Sequence, residues 1–481
     1  MGNKKIFKNY IYNLMYQVLV IILPIITTPY LSRVLGAENI GVYGYTISIV
    51  TYFTLLGALG INKYGQREIA YVQNDIDKRS KVFWELNIIK SCTIFISTIV
   101  FFFTFCIKGE YTMYYKILIL ELIATLLDIT WFFQGIENFK KVVIRNLIIK
   151  VISVVLIFVF IKSPNDLMKY FCIYVCSNFW GNGIFWVGIG RFVKKVKINF
   201  RDLKAHIKPL ISLFIPQIAV SIYTVLDKTM IGILSDEIVE VGYYEQSQKI
   251  IKIALTLVTT MSIVMLPRIS NVFAQGKQEE LNEYMRKTFK FDFFLSFPIM
   301  FGIMATAPNM VPWFFGEGYD KIINLLIMGS PIVLFISLSS TIGTQYLVSI
   351  KKQNIQTYAV VSGAVINFVL NFLLIPKFNS LGAIIATITA ELIITLIEMI
   401  YIVKNKIINI KYFIKDMHKY VISSIIMFVS IYLITKFLST GIICTLIQVI
   451  IGIIVYIALL LILKDEFLIN TLKSVFNRKK V

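Results

Sequence analysis

The sequence predicts an all-α polytopic membrane protein of about fourteen transmembrane helices. Three observations carry that prediction. Apolar runs of roughly twenty residues recur along the chain, each long enough to cross about 30 Å of hydrocarbon as a helix. The 481 residues are 57% hydrophobic and only 16% charged, which leaves short connectors and no stretch of the about 50 residues that a soluble domain needs. Lys and Arg gather in alternate connectors, the bias that orients helices in a bilayer.

The expected spans are 10–32, 40–61, 83–107, 113–134, 142–161, 166–188, 209–234, 247–267, 288–307, 322–350, 355–375, 380–403, 416–437 and 441–463. The start, MGNKKIFKNYIYNLMYQVLVIIL, is basic like a signal peptide. Its apolar stretch continues to Leu31 with no small-residue cleavage site, so it reads as a retained first helix. Ile6 stands where a myristoylation signal needs Ser or Thr. With the amino terminus placed inside, 35 of the 48 basic residues fall in inner segments and eight in outer ones; five (Lys90, Lys150, Lys228, Lys249, Lys252) lie within spans. An even span count with both termini cytoplasmic accounts for this alternation. The net charge of +21 would suggest nucleic acid in a soluble protein. Distributed this way it does not, and no nucleic-acid partner is expected.

Spans one to six form an expected amino-terminal lobe, 1–190. The basic segment 191–208 alternates bases with Phe, Val and Ile, as an interfacial amphipathic helix does, and is read as a cytoplasmic linker or a plain tether. Spans seven to twelve form a second lobe, 209–403. Spans thirteen and fourteen, nearly free of charge, are an added pair with a basic tail, 404–481. An internal repeat supports two lobes: LPIITTPYLSRVLGAENIGVYGY and FIPQIAVSIYTVLDKTMIGILSDEIVEVGYY share an inner proline (Pro24, Pro216), an outer cation (Arg33, Lys228) and a G-x-Y or G-Y-Y step. Each six-helix half starts inside and holds an even number of spans. The halves are therefore parallel repeats about an axis along the membrane normal, with a central cavity between them.

Ionisable groups within spans are expensive unless paired or wet, so they are the candidate site residues. Arg33 either snorkels to outer headgroups or clamps an anion with its bidentate fork. Asp227 and Lys228 lie in the outer third of span seven, about 100° apart on the helix, where they pair with other helices or line a cavity. Lys249 and Lys252 share one face of span eight. Glu121 and Asp128 share a face of span four, and Glu391 and Glu398 a face of span twelve. Lys90 and Lys150 are placed to neutralise Asp128, while Glu121 and Glu391 are candidates for ion coupling. Asn367 and Asn371 suggest interhelical hydrogen bonds.

No catalytic constellation or GxxxxGK[ST] phosphate loop appears, so neither an enzyme nor a nucleotide-driven pump is expected. Cys92, Cys106, Cys172, Cys176 and Cys444 form no CxxC, and the two histidines, His206 and His418, sit in basic loops. No cofactor or metal site is expected.

At PYLSRVLGAENIGVYGY the chain resembles Wzx-type polysaccharide repeat-unit flippases of the multidrug/oligosaccharidyl-lipid/polysaccharide exporter superfamily. WFFQGIE (131–137), LDKTMIG with VGYYEQSQKI (226–250), and INFVLNFLLIP followed by LGAIIATITAE (366–391) extend the resemblance along nearly the whole chain. It implies two lobes around a cavity of alternating access in the bacterial cytoplasmic membrane. The implied cargo is an undecaprenyl-diphosphate-linked oligosaccharide, for capsule, O-antigen or exopolysaccharide assembly. Polysaccharide polymerase and chain-length machinery are implied partners, and Arg33 and Lys228 become head-group contacts. By analogy with the lipid-carrier flippase of peptidoglycan synthesis, the added pair would border a groove for the lipid tail. Two rival readings are a cation-coupled multidrug exporter of the same superfamily and a membrane glycan polymerase or modifying enzyme.

Overall fold

The structure is a computed structural model that describes residues 2–405, 410–435 and 439–478. Of the bases used for orientation, Lys406, Lys436, Lys479 and Lys480 lie outside the described residues. Every regular element among the described residues is helical, because in lipid a helix satisfies its own backbone polar groups. The elements are α1 (Gly2–Ala58), α2 (Ile61–Tyr71), α3 (Ile76–Phe105), α4 (Thr112–Leu127), α5 (Thr130–Gly135), α6 (Phe139–Phe160), α7 (Leu167–Gly183), α8 (Phe200–Leu234) and α9 (Val239–Ala274). They continue with α10 (Gln278–Phe315), α11 (Lys321–Gly329), α12 (Pro331–Ser339), a π-helical stretch Ser340–Leu347, α13 (Gln353–Phe378), α14 (Ser380–Lys404), α15 (Ile410–Thr435), α16 (Ile442–Ile462) and α17 (Glu466–Arg478).

Among the described residues the expected spans lie mostly on helix, with informative differences. Eleven segments among the described residues are long and apolar enough to cross a membrane. Spans one and two merge into one of them, Ile22–Tyr71. The merged helix is broken at Gly36 (φ 80°, ψ 165°), a backbone region open essentially to glycine alone. The spans at 166–188 and 209–234 fall on α7 and α8, outside the eleven; α7 has only 17 residues. The span at 322–350 is divided into α11, α12 and the π-helical stretch, with Pro331 at the break.

The chain forms two compact units, Met1–Gly232 with Glu237–Gly242, and Ile233–Asp236 with Tyr243–Val481. In the first unit, α4 packs on α7 and α1 on α3, α4 and α6. One core cluster gathers Leu35, Val50, Phe101, Leu118, Leu122 and Phe171. Another gathers Phe83, Trp131, Phe132, Phe133 and Phe185 around the WFFQG turn. Trp131 is fully inside, and an added Cβ at Gly65 would strike its ring, which accounts for the small residue there. In the second unit, α13 pairs with α14, and α10 packs against α15, α12 and α16. Phe95, Phe103, Val155, Ile443 and Ile454 remain exposed, as lipid-facing side chains do when the solvent is hydrocarbon.

The expected amphipathic helix at 191–208 is corrected. Only its part from Phe200 onward is helical, following a single turn at Ile189–Arg191. Side chains of α3 capture the intervening backbone. Arg79 donates to the Phe192 carbonyl (2.6 and 3.1 Å), Trp84 Nε1 to the Lys194 carbonyl (3.0 Å), and the Lys194 amide to Ser80 Oγ (2.8 Å). These side-chain bonds satisfy backbone groups that a helix would have to pair internally.

Candidate substrate, lipid and coupling sites

In the first unit, Arg33 is exposed on α1, three residues before the Gly36 break, beside buried Ser32 and Leu35. Asp227 is buried on α8 and Lys228 half-buried. Thr229 donates to Ser48 Oγ (2.8 Å) and shares a hydrogen bond with the Tyr52 hydroxyl (3.0 Å), so the carboxy-terminal part of α8 rests on α1. Asp227 is within electrostatic range of that tyrosine. Gly232 lies so near Tyr45 that a Cβ would overlap the ring.

The repeated glycine motif has a geometric meaning. A Cβ at Gly41 would collide with the Ile238 carbonyl, and one at Gly242 with the Ala37 carbonyl. The two contacts are reciprocal, since each glycine meets the residue four before the other. Only glycine admits such backbone contact.

Glu121 of α4 accepts both of its contacts from Asn178 Nδ2 of α7 (2.9 and 3.1 Å), which ties it to a helix interface. Lys90 is buried and reaches Asp128 through its backbone carbonyl (2.6 Å). The Asp128 carboxylate caps α5 by accepting from the Thr130 amide (2.9 Å) and hydroxyl. His206 sits between the Tyr64 hydroxyl (Nδ1, 2.8 Å) and Glu85 (Nε2, 3.0 Å). That arrangement clasps the start of α8 to α2 and α3.

In the second unit, Lys249 stands 3.9 Å from Glu245 one turn earlier, and Lys252 is exposed. Glu391 is buried on α14, and Glu398 is wholly inside beside Ser339, with no well-formed hydrogen bond to either carboxyl oxygen. Asn371 donates to Asn367 (3.1 Å) along α13. Sequence reasoning missed Asp292 of α10, which is fully buried and lacks a well-formed hydrogen bond to either oxygen. The hydroxyls of Ser337 and Thr341 stand beside it. Ser337, Thr341, Gln345 and Ser349 recur every four residues along α12 and the π-helical stretch. Thr341, Gln345 and Ser349 bond in turn to Ser262 (2.9 Å), Thr288 (3.1 Å) and Ser270 (2.8 Å) on α9 and α10. The Asp292 carboxylate stands within the expected span at 288–307 and so was visible in the sequence.

Between α9, α10, α15 and α16 lies a cavity of about 550 Å³. Its walls are almost wholly apolar, with Pro298, Ile299, Met427, Ile431 and Ile453 among them. Of its polar residues, Thr306 and Tyr456 donate their hydroxyls to the Gly302 and Phe294 carbonyls, while Gln448 is buried with no hydrogen bond to its amide oxygen or nitrogen.

The profile of the polysaccharide biosynthesis protein family matches residues 6–273. The chain belongs to that family. A second profile, for the lipid II flippase MurJ, matches residues 183–465, so the two together span nearly the whole chain of this Wzx-type polysaccharide flippase. A putative O-antigen transporter of Escherichia coli (strain K12) is 23% identical over 407 residues, covering 83% of this chain and 97% of that protein. The lipid II flippase MurJ of Bacillus subtilis (strain 168) is 31% identical over 143 residues, 29% of this chain and 26% of its own length. Among solved structures, lipid II flippase MurJ in an inward closed conformation superposes with a TM-score of 0.74 at 20% identity, over 95% of this chain and 99% of that one. An inward-facing multidrug resistance transporter of the MATE family gives 0.63 at 15% identity, over 81% and 95%. The fold is thus that of a polytopic all-α membrane protein.

Proposed function

We propose that the protein moves a lipid-linked oligosaccharide, joined to undecaprenyl diphosphate, from the inner to the outer leaflet of the bacterial cytoplasmic membrane. The observation that carries this reading, beyond family membership, is the cavity beside the α15–α16 pair. Its walls suit a polyisoprenoid chain, and burial of such a chain is favourable at about 25 cal/mol per Å². Arg33 and Lys228 serve as head-group contacts, with Asp227, Lys249 and Lys252 in supporting positions, since a diphosphate needs cations where water is scarce. The two lobes alternate access with both termini cytoplasmic, and the substrate leaves chemically unchanged, so the protein acts as a transporter and not as an enzyme. A polysaccharide polymerase and its chain-length partners receive the product. Glu121 and Glu391 remain proposed coupling residues.

Proteoliposomes carrying a labelled undecaprenyl-diphosphate oligosaccharide test this. Transport predicts that the label becomes accessible to a membrane-impermeant glycosidase only when protein is present, with no new covalent product. A new glycosidic linkage would indicate the polymerase reading instead. A second reading, export of small organic cations, is favoured by the MATE likeness and the buried acids Asp292 and Glu398. It predicts resistance to cationic dyes on expression.

A further inference from the structure

We propose that the charged end of α6 is a binding site for the headgroup of an anionic phospholipid, separate from the transport route. Lys140 and Lys141 lie in the first turn of α6, which holds no acid. A helix amino terminus favours anions, not cations, so two lysines there concentrate positive potential. Lys140, Lys141 and Arg145 line a cavity of about 380 Å³ with Asn138, Ile144 and Ile148. The guanidinium of Arg145 is held in place. It donates to the Gly181 carbonyl (2.6 Å) and to the side chains of Asn146 and Asn182, and it lies over the Phe185 ring at 4.6 Å. Lys141 stacks over Phe133 at 4.1 Å and is within electrostatic range of Arg191. Between Asp128 and Asp166 the sequence holds one acid, Glu137, so the local balance stays positive.

The other half of the argument is apolar. Ile144 and Ile148 are exposed in the cavity wall, and the same helix continues with exposed Val151, Val155 and Val159. Charge at one end and a hydrocarbon-compatible face along the rest is the shape of a phosphate with acyl chains. Basic pockets at the cytoplasmic ends of transmembrane helices bind anionic lipid in this manner. The charges sit at a single level of the membrane, which suits a lipid resident in its own leaflet better than a cargo head that must cross.

The test uses the full-length protein in detergent, offered equal amounts of phosphatidylglycerol and phosphatidylethanolamine and read by native mass spectrometry. Phosphatidylglycerol should bind preferentially. Lys140→Gln alone, at an exposed side chain, should weaken it about fivefold, and adding Lys141→Gln should weaken it about fivefold again. The charge-keeping pair Lys140→Arg with Lys141→Arg should retain binding, which separates lost charge from misfolding. Equal binding of the two lipids, or unchanged phosphatidylglycerol binding in the double Gln variant, would overturn the assignment. So would displacement by equimolar undecaprenyl phosphate, which gives the site to the carrier lipid, or by inorganic phosphate, which makes it a soluble-anion site.

Discussion

Arg33 concentrates the transport argument in one side chain. Arg33→Glu should insert normally yet lower translocation by about tenfold or more, the worth of a charge-assisted hydrogen bond, whereas Arg33→Lys should keep part of the rate. Export at the wild-type level in the Glu variant would remove Arg33 from the substrate path. Asp292 makes a prediction about stability. With no well-formed hydrogen bond to either carboxyl oxygen, Asp292→Asn should cost less than about 1 kcal/mol, read as a nearly unchanged Tm. Outside the spans, Asp75 caps α3 by accepting from the amides of Asp77 and Lys78 (3.1 Å each). The Lys78 amide bond is the main reason its carboxyl lies below the ordinary range. A folded-state pKa below the unfolded one means the cap contributes fully above the unfolded value and is lost as pH falls through the folded value. Protection of the Asp77 and Lys78 amides, taken relative to the intrinsic exchange rate at each pH, should therefore fall under acid, and Asp75→Asn should flatten that dependence. The polar residues were visible in the sequence, but their partners were not. Lys90 was rightly directed to Asp128, yet it binds the backbone carbonyl, and no spacing rule distinguishes that from a carboxylate.

At the scale of elements, two glycines do what no other residue can. Gly36 meets nothing within 4 Å where a Cβ would go, so Gly36→Ala should cost about 1–3 kcal/mol through backbone strain alone. Gly242→Leu, by contrast, meets the Ala37 carbonyl and should force the helix starts apart. Cysteine cross-linking between positions flanking Ala37 and Ile238 should fall in that variant, and unchanged cross-linking would contradict the reciprocal contact. The helices themselves were legible because apolar runs of the right length have few alternatives in lipid. Hidden from the sequence were events set by tertiary contacts. These include the π-helical turn at Ser340–Leu347 and the stretch before Phe200 held open by Arg79, Trp84 and Ser80.

For the whole molecule, the polytopic helical class followed from hydrophobic length and basic-residue alternation, and family membership confirms a transporter. The cavity beside α15 and α16 was anticipated only by analogy, because its walls come from four helices distant in sequence. Filling it should inhibit: Gly302→Trp is expected to slow transport of a polyprenyl-linked cargo while sparing membrane insertion. The most direct measurement follows a labelled undecaprenyl-diphosphate oligosaccharide in sealed proteoliposomes containing only this protein. Protein-dependent appearance of intact label on the opposite leaflet, lost in Arg33→Glu, is the predicted result. Label that stays in its original leaflet at every protein density, in vesicles where a known flippase moves it, would contradict the account.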